Sequence, residues 1–367
     1  MVSRTALRPV AVLTAAALLA AACSSKPTDR SGGGSGTGSG SGSAGAKTTA
    51  CMVTDLGGID DRSFNAAAWA GLQAAQQDGL AQVSYVQSKS ESDYGPNLTA
   101  LVNKHCGLIV SVGSQLQTAT EDAAKQYPNQ HFAIVDGPGN GKNLRGLQFN
   151  VAQSSFLAGY LAAGFSTSGK VATFGGQKFD SVTSHMDGFW EGVQYYNSVK
   201  HTNVAVLGWN EKTQQGSFAG SFTDQTKGRQ ITQNFIQQGA DVIYEVAGGA
   251  GLGAPPAAEA THGKVAIIWV DSDGYVTTPQ YQDVFLTTVA KNVEGAVKET
   301  VEAVAKGQFT STDYLGTLAN NGTELSPFHA YASKVSQPLQ AELAQVKQDI
   351  MSGKITITSP AQPKVGS

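Results

Sequence analysis

From Ala50 onward the chain alternates short, β-branched apolar runs with longer amphipathic stretches, and this alternation narrows the available folds more than any other feature. The strand-like runs are CMVTDL (51–56), QVSYVQ (82–87), GLIVSVG (107–113), HFAIVDG (131–137), LRGLQFN (144–150), KVATFGG (170–176), NVAVLGW (203–209), ADVIYEVA (240–247), KVAIIWVD (264–271) and DVFLTTV (283–289). Helix-like stretches fall at 61–78, 94–105, 117–126, 151–166, 181–198, 224–238, 252–261, 290–306 and 335–351. Strands alternating with helices of this length predict βαβ units and a parallel, doubly wound α/β architecture. Runs such as LIVSV and VAIIWV are apolar without alternation, which suits strands covered on both faces.

Strand after strand ends in Asp, Gly or Ser: VTDLGG, VSVGSQ, IVDGPG, VAGGAG and WVDSDG. In open α/β sheets ligands bind beyond the carboxyl ends of the strands. These ends form two candidate rims, one from 50–150 and one from 170–273, so two lobes with a cleft between them are expected. The chain should cross between them near 150–153 and again near 282–291.

The first 50 residues have a different character. Arg4 and Arg8 precede an apolar run at 10–22, and Ala20, Ala21 and Ala22 precede Cys23. Thirteen apolar residues are too few for a membrane span, which needs about 20, and the pattern is that of an export signal. A bacterial lipoprotein signal has this form, with Cys23 as the lipidated residue. The segment 23–48 is mostly Ser, Gly and Thr and reads as a flexible tether, with an r.m.s. reach of about 25–30 Å. Cys51 and Cys106 each open a predicted strand, and outside the cytoplasm they could pair at a sheet edge or stay as buried thiols.

Composition removes several classes. The net charge is -3 and only 14% of residues are charged, which argues against nucleic-acid or anionic-membrane binding. Three cysteines cannot build a four-thiolate zinc site, and no CxxC or HExxH occurs. There is no G-x-S-x-G and no P-loop. The six histidines (105, 131, 185, 201, 262, 329) read as surface residues beside loops.

The segment Asp55-Leu-Gly-Gly-Ile-Asp-Asp-Arg-Ser-Phe-Asn65 joins the first strand to the first helix. Asp60 or Asp61 can cap that helix. Capping leaves Asp55 and Asn65 unexplained, two hydrogen-bonding groups at the rim. TDLGGIDDRSFNAAAWAGL, followed by VGSQLQTAT, FAIVDG, FNVAQSSFLAGYLAA, GFWEGV, GSFTDQTKGR, QGADVIYEVAGGAGLGA, WVDSDG and VAKNV, resembles the basic membrane protein family over about 49–306. These are lipoprotein substrate-binding components of ABC importers, typified by purine-nucleoside receptors.

The resemblance implies a two-lobed periplasmic-binding-protein fold of type I, with parallel doubly wound sheets, three crossovers and an interlobe cleft. The lobes would comprise 49–150 with about 286–320, and 151–285 with about 321–360. It implies a monomer, anchored by lipid on the extracytoplasmic face of the cell membrane, that hands a purine nucleoside to membrane permease subunits. No cofactor or metal is expected. Phe64 and Phe222 would sandwich the base, and Asp55, Asn65 and Asp136 would bond its polar edge. Asp271 and Lys291 would hold the ribose, with Ser114 and Gly249 in close contact. The long segment before GSFTD leaves Phe218 as an alternative to Phe222, whose position fits the family pattern better. Tyr244 and Trp269 read as core residues.

Other readings are a surface sensor, or a binding protein for a sugar or autoinducer. A further one is an NAD-dependent enzyme, suggested by Gly249-Ala-Gly-Leu-Gly-Ala254 after a strand, with Asp271 about 20 residues on. That motif falls deep in the second half, whereas a dinucleotide fingerprint opens its domain, and an exported protein has little access to nicotinamide.

Overall fold

The computed structural model describes residues 48–364. The predicted signal peptide, Cys23 and the tether up to residue 47 lie outside the described residues. Five strands come first: β1 (Thr48–Thr54), β2 (Ala81–Gln87), β3 (Leu108–Val112), β4 (His131–Val135) and β5 (Leu144–Phe149). Helices α1 (Phe64–Gln77), α2 (Tyr94–Asn103) and α3 (Gln117–Gln126) lie between them, and α4 (Val151–Phe165) follows. The chain continues through β6 (Lys170–Gly175), α5 (Asp180–Lys200), β7 (Ala205–Leu207) and a ribbon of β8 (Trp209–Asn210) and β9 (Gln215–Gly216). Next come α6 (Gln225–Gln237), β10 (Val242–Val246), α7 (Ala254–Glu259), β11 (Ala266–Asp271), α8 (Gly274–Thr277) and β12 (Phe285–Lys291). The last elements are α9 (Val293–Ala305), β13 (Tyr314–Gly316), β14 (Thr323–Leu325) and α10 (Gln337–Met351).

The strands form two six-stranded sheets, ordered β13-β5-β4-β3-β1-β2 and β14-β12-β11-β10-β6-β7. Every neighbouring pair in them is parallel except β12–β14. The two orders correspond strand for strand, so the lobes share one α/β topology. Apolar clusters cover both faces of each sheet. Burying one Leu, Ile or Val side chain contributes about 1.5–3 kcal/mol. That is why β3, β10 and β11, buried at every position, are mostly apolar, with Ser111, Glu245 and Asp271 as the exceptions.

The chain passes between the sheets three times. It leaves the first at Asn150, returns after Lys291, and leaves again between Gly316 and Thr323. These segments run side by side: Asn150 N–H donates to the Gly316 carbonyl (2.8 Å) and Asn292 N–H to the Gly322 carbonyl (2.9 Å). A side chain on Gly322 would collide with the Gly316 backbone, so glycine permits this contact.

Several expectations need correction. Residues 285–291 form a strand of the second sheet, so the return to the first lobe falls at Asn292 rather than near 286, and the stretch 290–306 is helical only from Val293. Only Ala254–Glu259 of the stretch 252–261 is α-helix, because the glycines at 248–253 make a tighter 3₁₀ segment. Strands β13 and β14, three residues each, carry too little periodicity to be seen in the sequence. Cys51 and Cys106 form a disulfide. It does not sit at the sheet edge, since β2 lies outside β1, and both cysteines are buried.

Candidate functional site

The carboxyl ends of both sheets face one cleft. It holds a small cavity lined from both lobes. Asp55, Phe64, Asn65, Ser114 and Asp136 line it from the first lobe; Phe222, Gly249, Asp271 and Lys291 line it from the second. All nine residues singled out in the sequence therefore meet at one cavity. Phe218 does not reach it. It packs edge-on against Trp209, with ring centroids 5.9 Å apart, and its backbone bridges to Gly175.

The turn after β1 is organised by two carboxylates. Asp61 accepts from the backbone N–H groups of Ser63 (3.1 Å), Asn65 (2.7 Å) and Ala66 (3.0 Å), which holds the first turn of α1. Asp55 Oδ1 accepts from Gly57 N–H and from Asn65 Nδ2, both at 2.8 Å. Asn65 Nδ2 also donates to Asp61 Oδ2 (3.0 Å). Two carboxylates claim the amide N–H₂, so its oxygen is the end left over. Asn65 Oδ1 is buried and has no partner among the described residues. Leaving such an atom unsatisfied costs about 1–3 kcal/mol. Gly113 lies so close that a side chain there would press on Asp55 Oδ2.

Lys291, at the end of β12, is the second organising group. Its Nζ lies 2.8 Å from Asp136 Oδ2 and 3.3 Å from Asp271 Oδ1. It also sits 4.9 Å from the centre of the Phe64 ring, within cation–π range. Asp136 directly follows β4 and Asp271 ends β11, corresponding strands of the two lobes, so Lys291 is shared between them.

Burial dominates the protonation of these groups. It pushes the Asp55 carboxyl up to about 6, with the Asn65 and Gly57 hydrogen bonds opposing. It raises Asp61 and Asp136, partly offset for Asp136 by Lys291. Burial alone would lower the Lys291 ammonium, but Asp136 and Asp271 outweigh it and the net shift is upward.

The lobes touch on both sides of the cavity. Gln115 Nε2 donates to Gln177 Oε1 (2.9 Å) and Ser114 Oγ lies 3.4 Å from Ser181 Oγ. Ser63 Oγ donates to Asp271 Oδ2 (3.0 Å), Ser272 Oγ to the Ser63 carbonyl (3.1 Å), and Arg62 to the Thr277 carbonyl (3.2 Å).

Sequence reasoning missed one cavity residue of note. His185, expected at the surface, is 1% exposed and lines the cleft from α5. A histidine at the start of a predicted helix carries no signal of burial, which is decided by the packing of α4 and β10 around it. His131 also departs from the surface reading, half-buried with its ring stacked 4.2 Å from that of Phe309. Gly249-Ala-Gly-Leu-Gly-Ala254 is not a phosphate cradle. A side chain at Gly251 would strike the buried Glu245 carboxylate, and one at Gly253 would strike α6, so these glycines serve packing.

Two matched α/β lobes around a polar cleft, joined by three strands of chain, define a bilobal ligand-binding protein. A family model described as "ABC transporter substrate-binding protein PnrA-like" (Bmp) matches residues 48–359, and the chain belongs to that family. Members are substrate-binding components of ABC transporters rather than enzymes.

The chain is 32% identical to "ABC transporter nucleoside-binding protein BmpA" of Lactococcus lactis, over 84% of this chain and 89% of that protein. It is 31% identical to the "CD4+ T-cell-stimulating antigen" of Listeria innocua, over 99% and 100%. It is 27% identical to "Basic membrane protein A" of Borreliella burgdorferi, over 83% and 86%. Among solved structures, an ABC transporter solute-binding protein from Aeropyrum pernix matches the fold with a TM-score of 0.77. It is 24% identical, with 85% of this chain and 94% of that one covered.

Proposed function

We propose that this protein captures a purine nucleoside in the interlobe cleft and delivers it to an ABC importer. The observation that carries the reading is one cavity lined by an aromatic ring from each lobe and, beside them, by groups that mostly accept hydrogen bonds. Phe64 and Phe222 offer faces to a flat base, and base–aromatic stacking contributes about 1–3 kcal/mol. Asp55 and the unpaired Asn65 Oδ1 accept from base N–H groups. Asp136 bonds the polar edge of the base as well, and Asp271 and Lys291 bond the ribose hydroxyls. Four carboxylates against one ammonium favour a neutral, donor-rich ligand over a phosphate. The name of the Lactococcus relative supports the same ligand class.

The ligand bonds both lobes only when they close, so binding shifts an open–closed equilibrium. Cys23 carries the lipid anchor, and residues 24–47 tether the lobes outside the membrane, where a disulfide is stable.

Calorimetry of residues 48–364 with guanosine, inosine, adenosine, arabinose and NAD tests the reading. Purine nucleosides should bind. Phe64→Ala and Phe222→Ala should each weaken binding by about 5- to 140-fold, and Phe218→Ala should not. Binding of arabinose or NAD without nucleosides would overturn the ligand class.

A further inference from the structure

We propose that His185 is a specificity-determining residue that donates a hydrogen bond from Nε2 to a ribose oxygen, its tautomer set by Tyr244. The proposal rests on the nucleoside reading for its ligand, but not for its tautomer. His185 lies in the first turns of α5 and lines the cleft while being 1% exposed. Its Nδ1 faces inward, 2.6 Å from the Tyr244 hydroxyl and 3.2 Å from Ser155 Oγ. Tyr244 and Ser155 are themselves fully buried, and their hydroxyls lie 3.3 Å apart.

A separation of 2.6 Å is short for an N–H donor, whose usual distance is about 2.9–3.0 Å, and fits an O–H donor. The Tyr244 O–H therefore donates to Nδ1, and Ser155 donates to the Tyr244 oxygen. Each bond polarises the next. The proton of the neutral ring then sits on Nε2, which has no partner among the described residues. Burial, with Lys291 nearby, holds the imidazole well below its ordinary range, so it stays neutral across physiological pH.

The remaining polar groups explain why such a donor matters. Asp55, Asp136, Asp271 and Asn65 Oδ1 are acceptors, and the Lys291 ammonium is already shared by two carboxylates. A ribose hydroxyl that donates to Asp271 still presents an oxygen lone pair. His185 supplies the matching N–H without adding charge. Free bases and deoxy analogues lack that oxygen, so the pair discriminates by sugar.

The experiment has two readouts. In the ¹⁵N-imidazole spectrum of the ligand-free protein, Nε2 should carry the proton and Nδ1 should not. A Nδ1–H tautomer would overturn the proposal whether or not nucleosides bind. Tyr244→Phe should shift the spectrum toward a tautomer mixture.

The second readout is the affinity for guanosine relative to 2′-deoxy- and 3′-deoxyguanosine. His185→Asn keeps a polar group toward Tyr244 but removes the outer donor. It should lower guanosine affinity about 2- to 10-fold and abolish the preference over one deoxy analogue. His185→Gln restores an N–H near the Nε2 position and should recover that preference. An unchanged preference in a folded His185→Asn protein would overturn the role. If the wild type binds no nucleoside, the ligand reading fails, while the spectrum still decides the tautomer.

Discussion

Asp136 and Asp271 both adopt left-handed backbone, with φ of 61° and 64°. That conformation is strained for residues other than glycine and clusters at ligand sites. Each turns its carboxylate back over the end of its strand toward Lys291, which is how one ammonium serves two lobes. Asp55 gives the site a pH dependence. Its carboxyl, raised by burial to about 6, accepts ligand N–H groups more strongly when ionised, and once protonated turns one oxygen into a donor. Nucleoside affinity should be flat above pH 6 and fall below it, by up to about tenfold per unit; calorimetry from pH 4.5 to 8 checks this.

Glu245 tests burial without ligand. It is fully buried, its raised pKa is due first to desolvation, and it accepts only from Ala247 N–H (3.1 Å). The folded protein keeps a proton that the unfolded chain releases above the ordinary 4.5. Glu245 therefore costs stability as pH rises through and beyond that value. Glu245→Gln should be at least as stable as wild type at pH 8 and should flatten this part of the pH profile, read by urea melts at pH 5 and 8.

At the scale of elements, α4 and α5 pack backbone against backbone. Side chains at Gly159, Gly188 and Gly192 would run into the carbonyls of Phe189, Ala152 and Phe156. The close approach holds His185 and Ser155 at the distance their shared network needs. Gly192→Ala should destabilise the protein by about 1–3 kcal/mol through overpacking, and also disturb His185. The urea midpoint measures the first effect, and the ribose/deoxyribose preference the second. The helix period of α6 was plain in the sequence because its buried residues Gly228, Ile231, Thr232 and Phe235 recur on one face. α7 was not, because the glycines before it follow the shape of Glu245 and α6 instead of a local helical preference.

For the whole molecule, the proposed function depends on relative movement of two similar lobes. The polar contacts Gln115–Gln177, Ser63–Asp271 and Arg62–Thr277, with the Lys291–Asp136 ion pair, join the lobes around the cavity. A ligand that adds bonds to both lobes should shift the equilibrium further toward closure. Small-angle scattering should show the radius of gyration of the 48–364 fragment decrease on adding guanosine. In Phe64→Ala the decrease should require more ligand. No change in wild type at saturating guanosine would count against closure.

Local pattern in the sequence was enough for the α/β class and the two lobes, whereas the nine residues that meet in the cleft came from the resemblance of its motifs to a known family. Strand-end Asp and Gly residues and helical periodicity are local patterns, readable without knowing what packs on them. Only the tertiary structure decided which phenylalanine of 218 and 222 reaches the cavity, where β12 belongs, and that β1 is an inner strand carrying the disulfide. It also decided that His185 is buried and that Asn65 presents its oxygen. These depend on contacts between residues far apart in the chain, such as Asp136 with Lys291 and His185 with Tyr244. Their strength comes from shared burial, a property of the assembled fold and not of any one segment.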